Sequence, residues 1–522
     1  MSVATAAGAT AGRSGGRHGA GVALLAAALA AATLVAVGAV VLGGVNPAVV
    51  AVPAVLGAVV YALWRLPLRT SAAGLVVLLL SLDRRTDALG VWYTPLAIVG
   101  DLLNINFDAV VPAASGFKLS GMEVILLMLL AVAIHRRITG STIDARGQVE
   151  TAGVMRDAVL VYLVAVAFGV ANGYAHGGST EIVIWQVRPL LDTAALFFLF
   201  QAAFQGPQDH ALLGKIIVLS ASIKALLALW VRYGVTPHVR HEMPHMTNHG
   251  ESILFVVACM VLLTQLMERT SLRRRKMALL LLPLILWGLA VNNRRVAWVQ
   301  LAFAVIGAWF ISPWRGWKRT VTRFLLVASP ITVLYLAVGW EVDNAFFRPV
   351  RIVRSVVDTK ADRSAWDRHV ENWNLAMSMR ERPIIGRGFG HEWTELYVGD
   401  NILPIFPQYM AEPHNQVLGL LLFAGLFAFS GIWLLFAVQV FLAVRAHRAA
   451  TAPEDRAAAL VCMGTVLVVV VQCYGDLGPF WTQYKVLTAL TAAAVAKLAV
   501  ATGAWPSRAR RAAPDPGAAG DA

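Results

Sequence analysis

The sequence predicts an all-α, polytopic integral membrane protein of about 12–14 transmembrane helices with one long extracytoplasmic loop. Three observations predict it. Of 522 residues, 58% are hydrophobic and only 14% charged, where an ordinary soluble domain carries about 25% charged residues. Mean hydropathy is +0.65, and the apolar residues fall in runs of about 20, the length a helix needs to cross a bilayer. Basic residues cluster between those runs, as at His135-Arg136-Arg137, Arg273 to Lys276 and Arg508 to Arg511, the pattern of cytoplasmic loops under the positive-inside rule. The net charge of +14 therefore reports topology rather than nucleic-acid binding, and no basic-aromatic module lies between the runs.

Along the chain, Arg13 and Arg17 precede an apolar run near 20–44, too long for a usual signal segment and read as an uncleaved first helix. Further spans are expected near 47–64, 66–82, 118–135, 155–173, 187–205, 211–230, 250–267, 276–291, 293–312, 320–340, 418–445, 457–475 and 482–501. The segment 91–116 is apolar in patches but broken by Asp101, Asn104, Asn106 and Asp108, so an interfacial or re-entrant segment is expected there. Counting basic residues on alternate sides places both termini in the cytoplasm. The organisation is then a disordered cytoplasmic tail (1–18), a helical bundle (19–340), a long extracytoplasmic loop (341–411), C-terminal membrane helices (412–504) and a second disordered tail (505–522). Cys259, Cys462 and Cys473 sit in apolar runs without CxxC spacing and support neither a metal site nor a disulfide framework.

The residues able to carry chemistry gather on the extracytoplasmic side. His414 lies in AEPHNQVLGLL, where Pro413 and the following apolar residues mark a helix starting at the outer membrane surface. A histidine there suits a general base, and the His414-Asn415 pair equally suits a plain helix cap. Arg294 and Arg295 occupy a tight outer turn, against the positive-inside direction. They suit either a bidentate clamp on a diphosphate or snorkelling to lipid headgroups. Arg363 opens a stretch in which Trp366, Trp373 and Met377 recur at helical spacing, as in an amphipathic helix lying on the membrane with its aromatic face inward. Pro383 ends that helix, and the glycines of GRGFG (386–390) read as a structural turn before a phosphate cradle. His238, His241, His245 and His249 share a Pro-interrupted loop with Arg232 and Arg240. Without an HExxH spacing this loop suggests no metal, and Arg240 is the better candidate, for a phosphate contact. Arg188 is a further, weaker one. No DxD and no P-loop are present, which points away from metal-held nucleotide sugars and from ATP.

Several ordered features together resemble the O-antigen ligase and O-antigen polymerase family of bacterial membrane proteins. They are FKLSGMEVILLMLL from Phe117, RVAW from Arg295, RSAWDRHVENWNLAMSMRERPIIGRGFG from Arg363, and HNQVLGLLLFAGL from His414. The resemblance implies a C-type glycosyltransferase-like bundle in the bacterial cytoplasmic (inner) membrane, working without cofactor or metal. Its donor would be an undecaprenyl-diphosphate-linked glycan, and its acceptor a hydroxyl of a saccharide or glycolipid. Membrane lipid and a polysaccharide assembly machinery are the implied surroundings. His414 would match the family's loop base, and Arg295, more loosely Arg363, the arginines on the donor diphosphate; Arg294 and Arg240 remain candidates for the same diphosphate from their places in the sequence, although the His-rich loop that holds Arg240 is unlike the family pattern. Ligase and polymerase share these motifs. Two other classes stay open. One is a transporter or flippase of lipid-linked glycans, which would use the mid-span charges Lys215, Lys224 or Lys485. The other is a non-catalytic component of a polysaccharide synthesis complex.

Overall fold

The computed structural model describes residues 61–82, 94–104, 119–140, 147–239, 245–314, 316–342, 363–399 and 406–507, with isolated positions besides. Among these residues the fold is helical, with no strand beyond a single bridge between Asn106 and Ser120. Each expected span from 66–82 onward is occupied by a helix. In order these are α1 (Leu68–Ser81), α3 (Gly121–Ile138), α4 (Gly153–Ala175), α5 (Thr180–Ala203), α6 (His210–Trp230), α7 (Glu251–Met267), α8 (Leu272–Val291), α9 (Arg295–Ile311), α10 (Gly316–Gly339), α12 (Gln416–Ala449), α13 (Pro453–Gly475) and α14 (Thr482–Ala501). Between α1 and α3 lies the short α2 (Pro95–Asn104), and within the long loop lies α11 (Arg363–Met379). Among the described residues seven helices are long and apolar enough to cross a membrane: α4, α5, α6 with its continuation to His238, α10, α12, α13 and α14. The chain thus has the helices of an all-α polytopic membrane protein. The spans expected near 20–44 and 47–64 lie almost wholly outside the described residues, as do the N-terminal tail and most of the C-terminal one. At ten residues α2 is too short to cross, in keeping with an interfacial or re-entrant segment.

A helix apolar on every side belongs in the middle of a bundle, and α7 is that helix, buried from Glu251 through Leu262. Helices α13 and α14 close around it, with Leu460, Val468, Val469, Val486, Leu487 and Val495 buried. Lipid tails are as apolar as leucine, so helices in a membrane associate through close packing of small residues. The chain uses this device: a Cβ on Gly288 of α8 would meet Ala225 of α6 at 2.6 Å, and one on Gly431 of α12 would meet Ala165 of α4 at 2.7 Å. By contrast, α10 buries none of its apolar window among the described residues.

The helix that carries the site is broken. At Gly425 the backbone of α12 takes φ 66° and ψ 172°, a region essentially open to glycine alone. Breaking a helix inside a membrane strands backbone groups that must be satisfied internally. The turn after α11 satisfies them: Arg387 N donates to Leu422 O at 2.9 Å and Gly388 N to Phe423 O at 2.8 Å. Leu426 N donates in return to Pro383 O at 2.9 Å and Phe427 N to Ile384 O at 3.0 Å. Phe389, 1% exposed, seats on α4, where Cβ atoms at Gly169 and Gly173 would strike it at 2.7 and 1.7 Å. The expected structural turn at GRGFG is what the chain builds. Gly425→Ala should therefore lower stability by more than about 3 kcal/mol through strain and overpacking. Its Cβ would lie 2.3 Å from Gly386 N. A thermal unfolding midpoint equal to wild type in detergent would show that the turn is not seated this way.

Candidate functional site

One end of the bundle collects the first residues of α7, α9, α12 and α14 with the last of α8 and α13, and α11 lies across it. Two acid–histidine pairs form there. In the first, Glu371 of α11 is buried and places Oε2 2.8 Å from His414 Nδ1. Its other oxygen accepts from Asn415 N at 3.2 Å, which fixes the carboxylate. Asn415 caps α12, its Oδ1 accepting from Leu418 N at 3.2 Å, while its Nδ2 donates to Asn372 Oδ1 at 2.9 Å. The cap and the histidine are thus separate devices on adjacent residues. An ionised Glu371 accepts from Nδ1–H, which leaves Nε2 of a neutral His414 as the proton acceptor. Tyr409 packs against the ring with centroids 5.8 Å apart. Burial, with Glu371 beside it, pushes the Tyr409 hydroxyl well above its ordinary range, so it stays a donor.

In the second pair, His249 Nδ1 meets Asp476, the residue that ends α13. Trp481 stacks on the His249 ring, centroids 5.6 Å apart and planes within 6°. Burial alone would raise the Asp476 pKa, but His249, Arg368 and His414 together hold it well below the carboxylate range. Burial also holds His249 below its ordinary value, against the pull of Asp476. A neutral His249 then gives its Nδ1 hydrogen to Asp476. Arg294 Nη1 lies 3.3 Å from the same nitrogen, an approach of two donors rather than a good bond. Arg294 Nε is buried with no hydrogen-bond partner among the described residues. Burial lowers its pKa to about 10, so it remains a cation at neutral pH.

One face of α11 links the pairs. Arg368 donates to Gly475 O beside Asp476, and Glu371, three residues on, holds His414; residues three apart share a helix face. The face turned to the protein carries Val370, Glu371, Asn374, Leu375 and Ser378, while Trp366 and Trp373 stay 43% and 45% exposed. The aromatic face is therefore not the one turned to the protein, because buried Glu371 and Asn374 need partners, which the start of α12 and the loop at 396–397 supply. Asn374 answers the backbone of Leu396 and Tyr397, and Gln186 of α5 ties His391 O at 3.0 Å and Ala411 O at 2.9 Å.

Of the residues singled out in the sequence, His414, Arg294 and His249 come into this site. Arg295 is the exposed first residue of α9 and Arg363 the first of α11. Arg240 and His241 lie outside the described residues. Arg188 is not a free phosphate ligand: it is ion-paired with Glu123, whose carboxylate also closes the capping box with Ser120 at the start of α3. His245 and His249 have ring centroids 6.0 Å apart, and no three His, Cys, Asp or Glu side chains are gathered for a metal ion among the described residues. Glu371, Asp476 and Arg368 were not foreseen. The signal available was the three-residue spacing of Arg368 and Glu371, and a lone carboxylate in the short connection YGDLG.

Burial pushes the Glu412 carboxyl up to about 8, so in the folded protein it is protonated where an unfolded chain would be ionised. A raised carboxyl pKa gives stability that is complete below about 4.5 and is lost as pH rises through about 8. Unfolding midpoints should fall over that window, and Glu412→Gln should flatten the fall and gain stability at pH 8.5. Equal slopes for both proteins would place Glu412 in water.

The chain matches no protein-family model and no curated protein.

Proposed function

We propose that the chain is a metal-independent, inverting membrane glycosyltransferase of the O-antigen ligase or polymerase type. It moves a glycan from undecaprenyl diphosphate to an acceptor hydroxyl in surface polysaccharide assembly, on the extracytoplasmic side of the bacterial cytoplasmic membrane. The observation that carries this reading is the His414–Glu371 pair, with Nδ1 2.8 Å from the carboxylate. It leaves Nε2 to take the proton of the attacking hydroxyl, the geometry of a general base oriented by an acid.

The acceptor oxygen then bonds to the anomeric carbon as the bond to the diphosphate oxygen breaks on the opposite face, inverting the centre. The proton ends on His414, and the leaving group is undecaprenyl diphosphate. Negative charge grows on that diphosphate, where fixed cations contribute most to catalysis. Arg294, with its Nε unpartnered and its Nη1 on a donor nitrogen, is the cation that gains most from an incoming anion. Arg295 and Arg363, at the starts of α9 and α11, are proposed to flank it, and Arg240 to join from the His-rich loop. The Asp476 carboxylate attracts Arg294 and Arg368 at this end of the bundle, and Arg368 is also tied to Gly475 O.

The test is release of undecaprenyl diphosphate by the full chain in nanodiscs, supplied with a lipid-linked saccharide pool and an acceptor glycan. Release that needs the acceptor supports the reading. A donor that binds without any release removes it and moves the transporter and scaffold readings ahead.

A further inference from the structure

We propose that the end of the bundle opposite His414 holds a binding groove for an anionic phospholipid, headgroup at the rim and one acyl chain inside. A cavity of about 810 Å³ opens there between α6, α7, α8, α13 and α14. Its position follows from connectivity. It is lined by the first turns of α6, α8 and α13, the last turns of α7 and the middle of α14 (Leu490, Thr491 and Ala494), whereas the His414 site uses the other ends of α7, α8 and α13 and the start of α14. It is therefore a second site, independent of the proposed chemistry.

The lining divides into two zones. Deep in the groove are Leu213, Ile217, Val261, Leu262, Val461 and Leu490, a surface for hydrocarbon. At the rim are Lys215, Arg273 and Arg274 against one carboxylate, Glu454. Glu454 stands 3.5 Å from Arg274, so it offsets one cation and leaves two. Lys215 and Arg273 are exposed, with no ion pair to a described residue. Basic pockets between membrane helices on the cytoplasmic side are suited to anionic lipid headgroups, and a chain-sized apolar channel under such a rim asks for a lipid rather than a free phosphate.

A second observation concerns α8. Its first turn carries Arg273, Arg274, Arg275 and Lys276, and its N-cap Ser271 makes no side-chain capping bond. The amino end of a helix is already the positive end of its dipole, so four cations there repel it unless an anion is near. Ser271 and Gln265 also line the groove and supply neutral donors beside the cations. A phosphodiester at this rim answers the cations, the helix end and the uncapped serine at once.

The experiment uses the full chain in neutral detergent with added dioleoyl phosphatidylglycerol or dioleoyl phosphatidylcholine, read by native mass spectrometry and by the unfolding midpoint. Phosphatidylglycerol should be retained and raise the midpoint, and phosphatidylcholine should do neither. Lys215→Gln with Arg273→Gln leaves the Arg274–Glu454 pair intact, and should weaken retention about tenfold or more. Gly214→Leu keeps every rim charge and fills the groove. A Cβ at Gly214 meets only Val261, at 3.5 Å, so the variant should fold and lose retention too. Retention unchanged in both variants, or equal for the two lipids, overturns the proposal. So does a photo-crosslinker at Leu219 that captures residues 20–56 of the chain itself in place of lipid.

Discussion

His414→Ala should slow release of undecaprenyl diphosphate by about 100-fold to 10⁴-fold, the span associated with loss of a general base, with the unfolding midpoint close to wild type. The near-normal midpoint follows because Asn415, not His414, caps α12. Glu371→Gln should cost less in rate. An amide can still accept from Nδ1–H, but it no longer stabilises the imidazolium that forms as the proton arrives. The double variant should be little worse than His414→Ala alone, because an orienting acid has nothing to orient once the base is gone. A merely structural Glu371 would give the opposite pattern, its cost adding in full to that of His414→Ala. Wild-type rates in His414→Ala would leave His414 as packing and return the base to another residue.

How much of this was legible before the fold depends on whether a residue's partner lies nearby in sequence. Helices from Leu68 onward were readable because twenty apolar residues have few other ways to satisfy their backbone in a bilayer. Ser120 and Glu123, three apart, carry a capping box in the sequence itself. His414 was readable from its place before Asn415 and an apolar run. Its partner was not, because Glu371 lies 43 residues away and only the packing of α11 brings it back. Asp476 and His249 are 227 residues apart and meet only through the adjacent ends of α13 and α7. Arg188 shows the converse limit: its charge was visible, and its neutralisation by Glu123 of another helix was not. Likewise Gly425 is one glycine among 43, and only the seated turn of 383–388 marks it as the break in α12.

Lys224→Met should destabilise the protein by about 3–5 kcal/mol, the cost of stripping one partner from a buried ion pair. Lys224 Nζ lies 2.7 Å from Glu251 Oε1 with both side chains shut off from solvent, at 0% and 1% exposure. Removing the lysine leaves a carboxylate shut off from solvent between helices, where hydration cannot repay it. Lys224→Met combined with Glu251→Leu should recover much of that loss, since apolar residues of similar volume replace a buried pair at little cost. Glu251 opens α7 two residues after His249, and its charge reaches Arg294, so the pair also underlies the polar end of the bundle. The double variant should therefore fold and retain carrier release, at a rate reduced by the loss of one charge below Arg294. This outcome bears on function as well as stability. A flippase that moves its cargo past Lys224 would lose transport in the double variant however well it folded. A transferase that uses Lys224 to support α7 would keep its chemistry. Stability equal to wild type in Lys224→Met alone would mean that Glu251 finds water or another partner, and the pair would lose its place in the fold.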